Sequence, residues 1–376
     1  MRKVDSNYKR VVHSVKENGY KYRTKNRKNE EFTQLDECRF PVELQDEGLP
    51  ILSLKRVSFK NVITELLWFL KGDDNVSYMD YNGCKIWNKD AYNYYLKKCN
   101  ISGFKKLSYK DFLKEMRNPG SIPYDKPENY EIGDTGEQYP KLWRHWDHLS
   151  VDDYGIDQIH NLIEGLRNNP YSRRHVVTAW NPATLDDMAL PACHIGFRCI
   201  IRPLNIFQRM AFSEEDQGHL KSLTDAYLKD DDKEAKERID KIIFNIPDKA
   251  VSLHFTQRSA DVFLGMPYNI LSYSILNCII GYLTDMIPLN IVGKFENVHL
   301  YSSHDEAVKE LQKRVGIDQK VKLQVTDEGR SIMDRYKEGH ITTDDLFRSL
   351  EPEHFFIQHY KHEGEIKATM IPEDKN

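Results

Sequence analysis

A cysteine nucleophile has to be a thiolate, and a thiolate forms where positive charge or hydrogen-bond donors stand close by. Cys193, in the string ALPACH, follows a proline-containing turn and is adjacent to His194. Viewed alone, such a cysteine reads more readily as a small buried hydrophobe, so a second segment must supply the charge. QRSAD is the candidate, with Arg258, Ser259 and Asp261. Alternate side chains of a strand face opposite ways, so Arg258 and Ser259 converge only at a bulge or a strand end. By itself Arg258 reads more readily as an ordinary surface ion-pair residue. The doublet Arg173 and Arg174, after NNPYS, offers two planar guanidinium forks suited to an oxyanion such as phosphate. Glu65 is a carboxylate inside the apolar run VSFKNVITELLWFLKG, where burial would raise its pKa.

These residues need elements to position them. Val57, Val62, Leu66, Phe69 and Leu70 share one face of a helix that stops at Gly72, and Glu65 rides on it. A helix is expected around DQIHNLIEGLRNNP, then strands at HVVTAWNP, HIGFRCIIRPL and VSLHFTQRSADVFL, then a long buried helix at YNILSYSILNCIIGYLTDM. Two stretches read as insertions. Residues 92–138 are rich in Lys, Tyr and Asn, with Pro119, Pro123 and Pro127, and read as irregular apart from one short helix at SYKDFLKEM. Residues 204–250 hold a charged helical run, read as a solvated face hanging off the main body. The whole chain, 1–376, reads as a single α+β domain with these two insertions.

With 54 Lys plus Arg against 58 Asp plus Glu, the net charge of −4 excludes a polybasic nucleic-acid coat or membrane anchor. The cysteines at 38, 84, 99, 193, 199 and 278 form no CxxC pair and no zinc spacing, which suits a reducing cytoplasm and no metal. The N-terminus has no apolar signal core, and ILNCIIGYLTDMIPLNIV is interrupted by Asp285 and Pro288, so neither secretion nor membrane insertion is expected.

The strings ELLWFLKG, KIW, YSRRHVVTAWNP, ALPACH, QRSADVFLGMPYNILSY and VHLYSSH occur in an order and with a content that resembles the thymidylate synthase family. The resemblance runs from about Arg23 to Met370 outside the insertions. It implies a mixed β-sheet packed with helices, in a homodimer whose sheets face each other. It also implies a pyrimidine nucleotide substrate, with 5,10-methylenetetrahydrofolate as the one-carbon donor. Cys193 would then attack carbon 6 of the base. Arg258 would touch the phosphate and activate the thiol, joined by Arg23, Ser259 and, from the partner subunit, Arg173 and Arg174. Asn269 would read the pyrimidine edge, an amide matching uracil's carbonyl and ring NH where aspartate would suit cytosine, so the substrate implied is dUMP. His299 and Tyr301 would hold the 3′-hydroxyl, while Glu65, Tyr139 and His194 would handle protons and water. Asp261 would anchor the pterin, with Trp87, Leu264, Gly265 and Tyr268 as its apolar slot and Lys55 at the folate tail.

The chain departs from the family pattern at several of these places. Asp90 stands where a second Trp is usual, Asn297 where an Asp precedes the His of HLY, and Arg198 where a Gln follows Cys-His. TKNRKNE replaces a glycine-rich phosphate loop, and IKATMI is followed by the polar extension PEDKN. Losing an aromatic surface and altering the closing tail should admit water to the bound folate. The expectation is therefore a deoxyuridylate hydroxymethylase, supplying hydroxymethyluracil for modified DNA, with thymidylate synthase as the alternative. A catalytically inactive nucleotide- or RNA-binding relative is disfavoured by the presence of Cys193, Arg258 and Asn269. No membrane or specific nucleic-acid partner is expected.

Overall fold

A computed structural model of the chain describes residues 1–23, 30–124, 127, 130–147, 155–213, 215–230 and 233–368. The TKNRKNE segment, apart from its last residue, and the tail from 369 onward lie outside the described residues.

The sequence's strands assemble into one mixed sheet. Its members are β1 (Tyr20–Arg23), β2 (Glu31–Glu43), β3 (Val176–Thr178), β4 (His194–Pro203), β5 (Lys249–Gln257), β6 (Ala260–Asp261) and β7 (Ile287–Tyr301), in the order β1-β2-β7-β5-β4-β3 with β6 beside β7. Neighbours run antiparallel except that β5 and β6 are parallel to β7. A second, two-stranded sheet pairs β8 (Lys322–Val325) with β9 (Phe355–Gln358).

In β5 every second residue is buried in the pattern Val251, Leu253, Phe255, Gln257, so one face of the sheet meets the core. The helix Gly265–Leu283 lies over that face and is apolar almost all round, as a helix enclosed between sheet and other helices must be. The helix Phe59–Lys71 begins at Ser58, whose hydroxyl accepts from Asn61 N, and ends at Gly72 in the left-handed conformation, as its apolar spacing predicts. It packs against the helices Gly265–Leu283 and Tyr139–Arg144.

The first insertion is more helical than its composition implies. Helix Asn88–Ser102 runs ahead of the expected short helix, found at Tyr109–Arg117. Lysines and asparagines mask its pattern, yet Ala91, Tyr94, Tyr95 and Cys99 fall three or four residues apart and are buried together. Arg117 then locks the insertion down through bonds of 2.7 and 2.9 Å to Asp80. The second insertion is a helical hairpin, Gln217–Asp230 and Lys233–Ile243, spliced into the β4–β5 connection. It has a small core of its own, made by Met210, Leu220, Leu223, Ile239 and Ile243. Among the described residues no helix is long and apolar enough to cross a membrane.

Candidate active site

The strand β5 stops at Gln257, and this ending resolves the convergence problem posed by QRSAD. The backbone N–H of Arg258 donates to Cys193 O at 2.9 Å, bringing the two motifs edge to edge. Arg258 then curls its guanidinium around the cysteine turn. Its Nε donates to Ala192 O at 2.8 Å and its Nη2 to Pro191 O at 2.9 Å, with the same Nη2 4.0 Å from Cys193 Sγ. The cationic neighbour that a thiolate requires is thus fixed by two carbonyls of the cysteine's own loop. Trp180, which lies in the string YSRRHVVTAWNP but has no role in the sequence reading, covers the guanidinium with its ring 5.7 Å away.

Tyr139 reaches the cysteine from the other side. Its hydroxyl oxygen accepts from Cys193 N at 2.7 Å and from His194 N at 3.2 Å, so its own proton points away from both amides. Burial pushes this phenol's pKa up, and the neutral donor persists across the physiological range. Helix Tyr139–Arg144 is held from below by Arg144, whose buried guanidinium bonds Asp157, Asp344 and the carbonyl of Leu70.

His194 is partly buried, and desolvation lowers its pKa to about 3, so the ring is neutral. Its Nδ1 lies 2.9 Å from Tyr273 OH and its Nε2 2.9 Å from Gln257 Nε2. Gln257 donates with that nitrogen, so His194 Nε2 accepts and the ring proton sits on Nδ1. Gln257 Oε1 in turn accepts from Asn269 Nδ2 at 3.3 Å. Gln257 and Tyr273 open and close the string QRSADVFLGMPYNILSY, yet the sequence reading gives neither a role at the site. Besides that string, the signal for Gln257 is a lone amide at an inward-facing position of an otherwise apolar strand.

Glu65 is partly buried on its helix and donated to by Trp87 Nε1 at 2.7 Å. Burial raises its pKa to about 7, against the smaller lowering effect of that bond. Trp87 itself is packed between Trp68 and Tyr139, with centroids at 5.5 and 6.2 Å. Asp261 Oδ1 accepts from Phe263 N at 2.8 Å and Leu264 N at 3.0 Å, closing the turn that starts the helix Gly265–Leu283. A side chain at Gly265 would grow toward Asn269 and Asp261, so the bare glycine keeps the space between them open. Tyr268 OH accepts from Ser58 N at 3.4 Å.

His299 and Tyr301 are neighbours at the end of β7, their rings 5.1 Å apart and flanked by Phe32. Ser259 is half-buried in the turn between β5 and β6. Three of the expected cations stand apart from the cysteine. Arg23 is exposed on the edge strand β1 beside Glu31, and Arg173 and Arg174 are exposed on the turn leading into β3 at the opposite edge. Lys55 is buried, its ammonium directed at Phe263 O and lying over the Phe263 ring, and burial lowers its pKa to about 8.

This arrangement can do covalent chemistry: a nucleophile, a clamped guanidinium beside it, a neutral amide–imidazole chain and a carboxyl near neutrality. Among the described residues no group of His, Cys, Asp and Glu is set to hold a metal ion. The sequence profile of the family described as Thymidylate synthase matches residues 6–214 and 239–372, leaving out most of the inserted hairpin. Three similar proteins carry the name thymidylate synthase. That of Phytoplasma mali (strain AT) is 31% identical over 279 residues, 74% of this chain and 75% of its own. That of Staphylococcus haemolyticus (strain JCSC1435) is 32% identical over 289 residues, 72% and 74% respectively. That of Malacoplasma penetrans (strain HF-2) is 31% identical over 264 residues, 70% and 71%.

Proposed function

The chain belongs to the thymidylate synthase family, and from that premise we propose that it moves the one-carbon unit of 5,10-methylenetetrahydrofolate to carbon 5 of dUMP, forming dTMP and dihydrofolate. The observation that carries this reading is the Arg258 guanidinium clamped 4.0 Å from Cys193 Sγ, beside an amide chain ending in Asn269. Carbon 5 of uracil is a weak nucleophile. Addition of the Cys193 thiolate to carbon 6 makes carbon 5 enolate-like, and Arg258 favours the anionic sulfur while offering its remaining donors to the phosphate. Asn269 keeps one N–H and its carbonyl for the base, the pair that uracil's O4 and N3–H require. Tyr139 and Glu65 would pass the proton that leaves carbon 5.

The bound folate supplies the one-carbon unit and, in a synthase, the hydride. Asp261 and the open space at Gly265 suit its pterin, with Trp87, Leu264 and Tyr268 as apolar neighbours. Lys55 would serve the folate tail only after turning away from Phe263. The working unit is a homodimer in which the sheets meet face to face. A trough lined by Arg39, Arg198, His254 and Lys294 crosses the open sheet face, and Arg173 and Arg174 would reach the partner's phosphate site. The compartment is cytoplasmic.

The sequence-based expectation of a hydroxymethylase remains as the second reading, favoured by one observation. Asp90 occupies the first turn of the helix Asn88–Ser102, three residues beyond Trp87, in place of an aromatic surface. In that chemistry water adds to the exocyclic methylene, giving 5-hydroxymethyl-dUMP and tetrahydrofolate with no oxidation. Turnover with dUMP in heavy-oxygen water separates the two. A synthase yields stoichiometric dihydrofolate, seen as rising ultraviolet absorbance, and unlabelled dTMP. Labelled hydroxymethyl-dUMP without dihydrofolate overturns the synthase reading in favour of the second.

A further inference from the structure

Among the described residues Asn297 is one of three non-glycine residues with positive φ, at 44°, a conformation that asparagine tolerates better than most. It precedes His299 by two residues in β7, beside the crossing of β6. Three hydrogen bonds meet on it. Its Nδ2 donates to Arg258 O at 2.7 Å, its Oδ1 accepts from Gln34 Nε2 at 2.8 Å, and its backbone carbonyl lies 2.7 Å from His299 Nδ1.

The direction of these bonds is fixed from outside. Tyr20 gives its hydroxyl proton to the Asp36 carboxylate at 2.9 Å and must therefore accept from Gln34 Nε2, at 3.0 Å. Tyr22 donates to Gln34 Oε1 at the other end of the same amide. Gln34, buried at 3% exposure, thus presents NH2 toward Asn297, which must answer with its oxygen. The Arg258 carbonyl can only accept and must be met by a donor. An asparagine satisfies both demands at once. A carboxylate satisfies only the first and sets an anionic oxygen against the Arg258 carbonyl.

We propose that Asn297 is a positioning residue for nucleotide binding, its amide fixing the backbone of Arg258 and its carbonyl fixing the His299 ring as one unit. Arg258 is then held on both flanks, by Cys193 O at its N–H and by Asn297 at its carbonyl. The residue that departs from the family pattern is in this chain matched to Gln34, Tyr20 and Tyr22 across the sheet. The inference rests on the proposed function, in which Arg258 meets the phosphate and His299 the deoxyribose.

The test is Asn297→Asp, with Asn297→Gly as a second variant that keeps the backbone conformation but removes the amide. In both, the KM for dUMP and the inhibition constant of inorganic phosphate rise together by ~10-fold, the size expected for one lost hydrogen bond with an unsatisfied partner. The KM for the folate stays within ~2-fold and kcat within ~3-fold, because the folate side and Cys193 are not bonded to this amide. A folded variant with unchanged dUMP and phosphate constants overturns the inference, as does an equal rise in the folate KM, which would mark a general structural defect. Wild-type protein that binds neither dUMP nor phosphate overturns the proposed function along with it.

Discussion

Asn269 donates its side-chain nitrogen to the oxygen of Gln257, 3.3 Å away, and this bond decides which way the asparagine amide faces. An amide free to turn over can meet uracil in one orientation and cytosine in the other. Gln257 is itself oriented by His194, and His194 by Tyr273, so the reading end is held by a chain anchored on the buried Gln257 and Tyr273.

Asn269→Asp should therefore lower kcat/KM for dUMP and improve dCMP use, shifting their ratio by at least ~10-fold, since one donor in contact with the base is exchanged for an acceptor. Gln257→Met should reduce the same ratio in a different way, by freeing Asn269 to turn. Steady-state kinetics with both nucleotides measures each effect, and an unchanged ratio in both variants removes Asn269 from base recognition.

The parts of this site that lie within continuous strings are legible in the sequence. Cys193 with His194, Arg258 with Ser259, and Asn269 on its helix take their expected roles from the resemblance of the whole strings, since Cys193 alone reads as a buried hydrophobe and Arg258 alone as a surface ion-pair residue. Gln257, Tyr273 and Trp180 lie in the same strings, but their parts in the site are not legible, because each acts through a partner distant in the chain, and a glutamine or tyrosine in an apolar segment has no local signature. Helix Asn88–Ser102 escapes a reading of composition for another reason: only five of its fifteen residues are buried, and two tyrosines, one alanine and one cysteine provide most of that stripe. Asn297 is legible as a departure but not as a cause, since its partner Gln34 lies on β2, far away in sequence.

Cys193→Ala should abolish both product formation and exchange of the hydrogen on carbon 5 of dUMP, because both require addition at carbon 6. Arg258→Lys keeps the charge but cannot bond Ala192 O and Pro191 O together as the fork does. It should lower kcat and weaken dUMP binding, each by ~10-fold or more. Tritium release from labelled dUMP reports the exchange directly. Release that persists in Cys193→Ala would show that some other group opens the double bond.

The inserted hairpin should be dispensable for chemistry. It joins β4 to β5 where Leu204 N already donates to Asp248 O, so a short turn can replace residues 206–246 without breaking the ladder. Its core is separate from the main one, but Phe212 and Ile246 cover Leu204, Ala250, Ile287 and Leu289. Exposing that patch costs about 1–3 kcal/mol, a fall of several degrees in Tm, with kcat per folded molecule unchanged. A large loss of kcat with Tm preserved would give the hairpin a role at the site.

Glu65 links the chemistry to stability through pH. Burial raises its pKa from an ordinary 4.5 to about 7, so the folded chain keeps a proton that the unfolded chain gives up. The stability this contributes is fully present below about pH 4.5 and is lost as pH rises through about 7, the opposite of a salt-bridged carboxylate. Glu65→Gln holds a neutral group of the same shape at every pH. Its stability relative to wild type should therefore rise between pH 5 and pH 8, by roughly 2 kcal/mol once the carboxyl's partial solvent access is discounted. Activity should move the other way, with kcat falling ~100-fold or more as a proton-transfer group is lost, and with it the kcat/KM limb near pH 7. Urea unfolding at the two pH values and a pH–rate profile on the same samples measure both effects. A variant whose relative stability is flat with pH would place the carboxyl in solvent and remove Glu65 as the group that titrates.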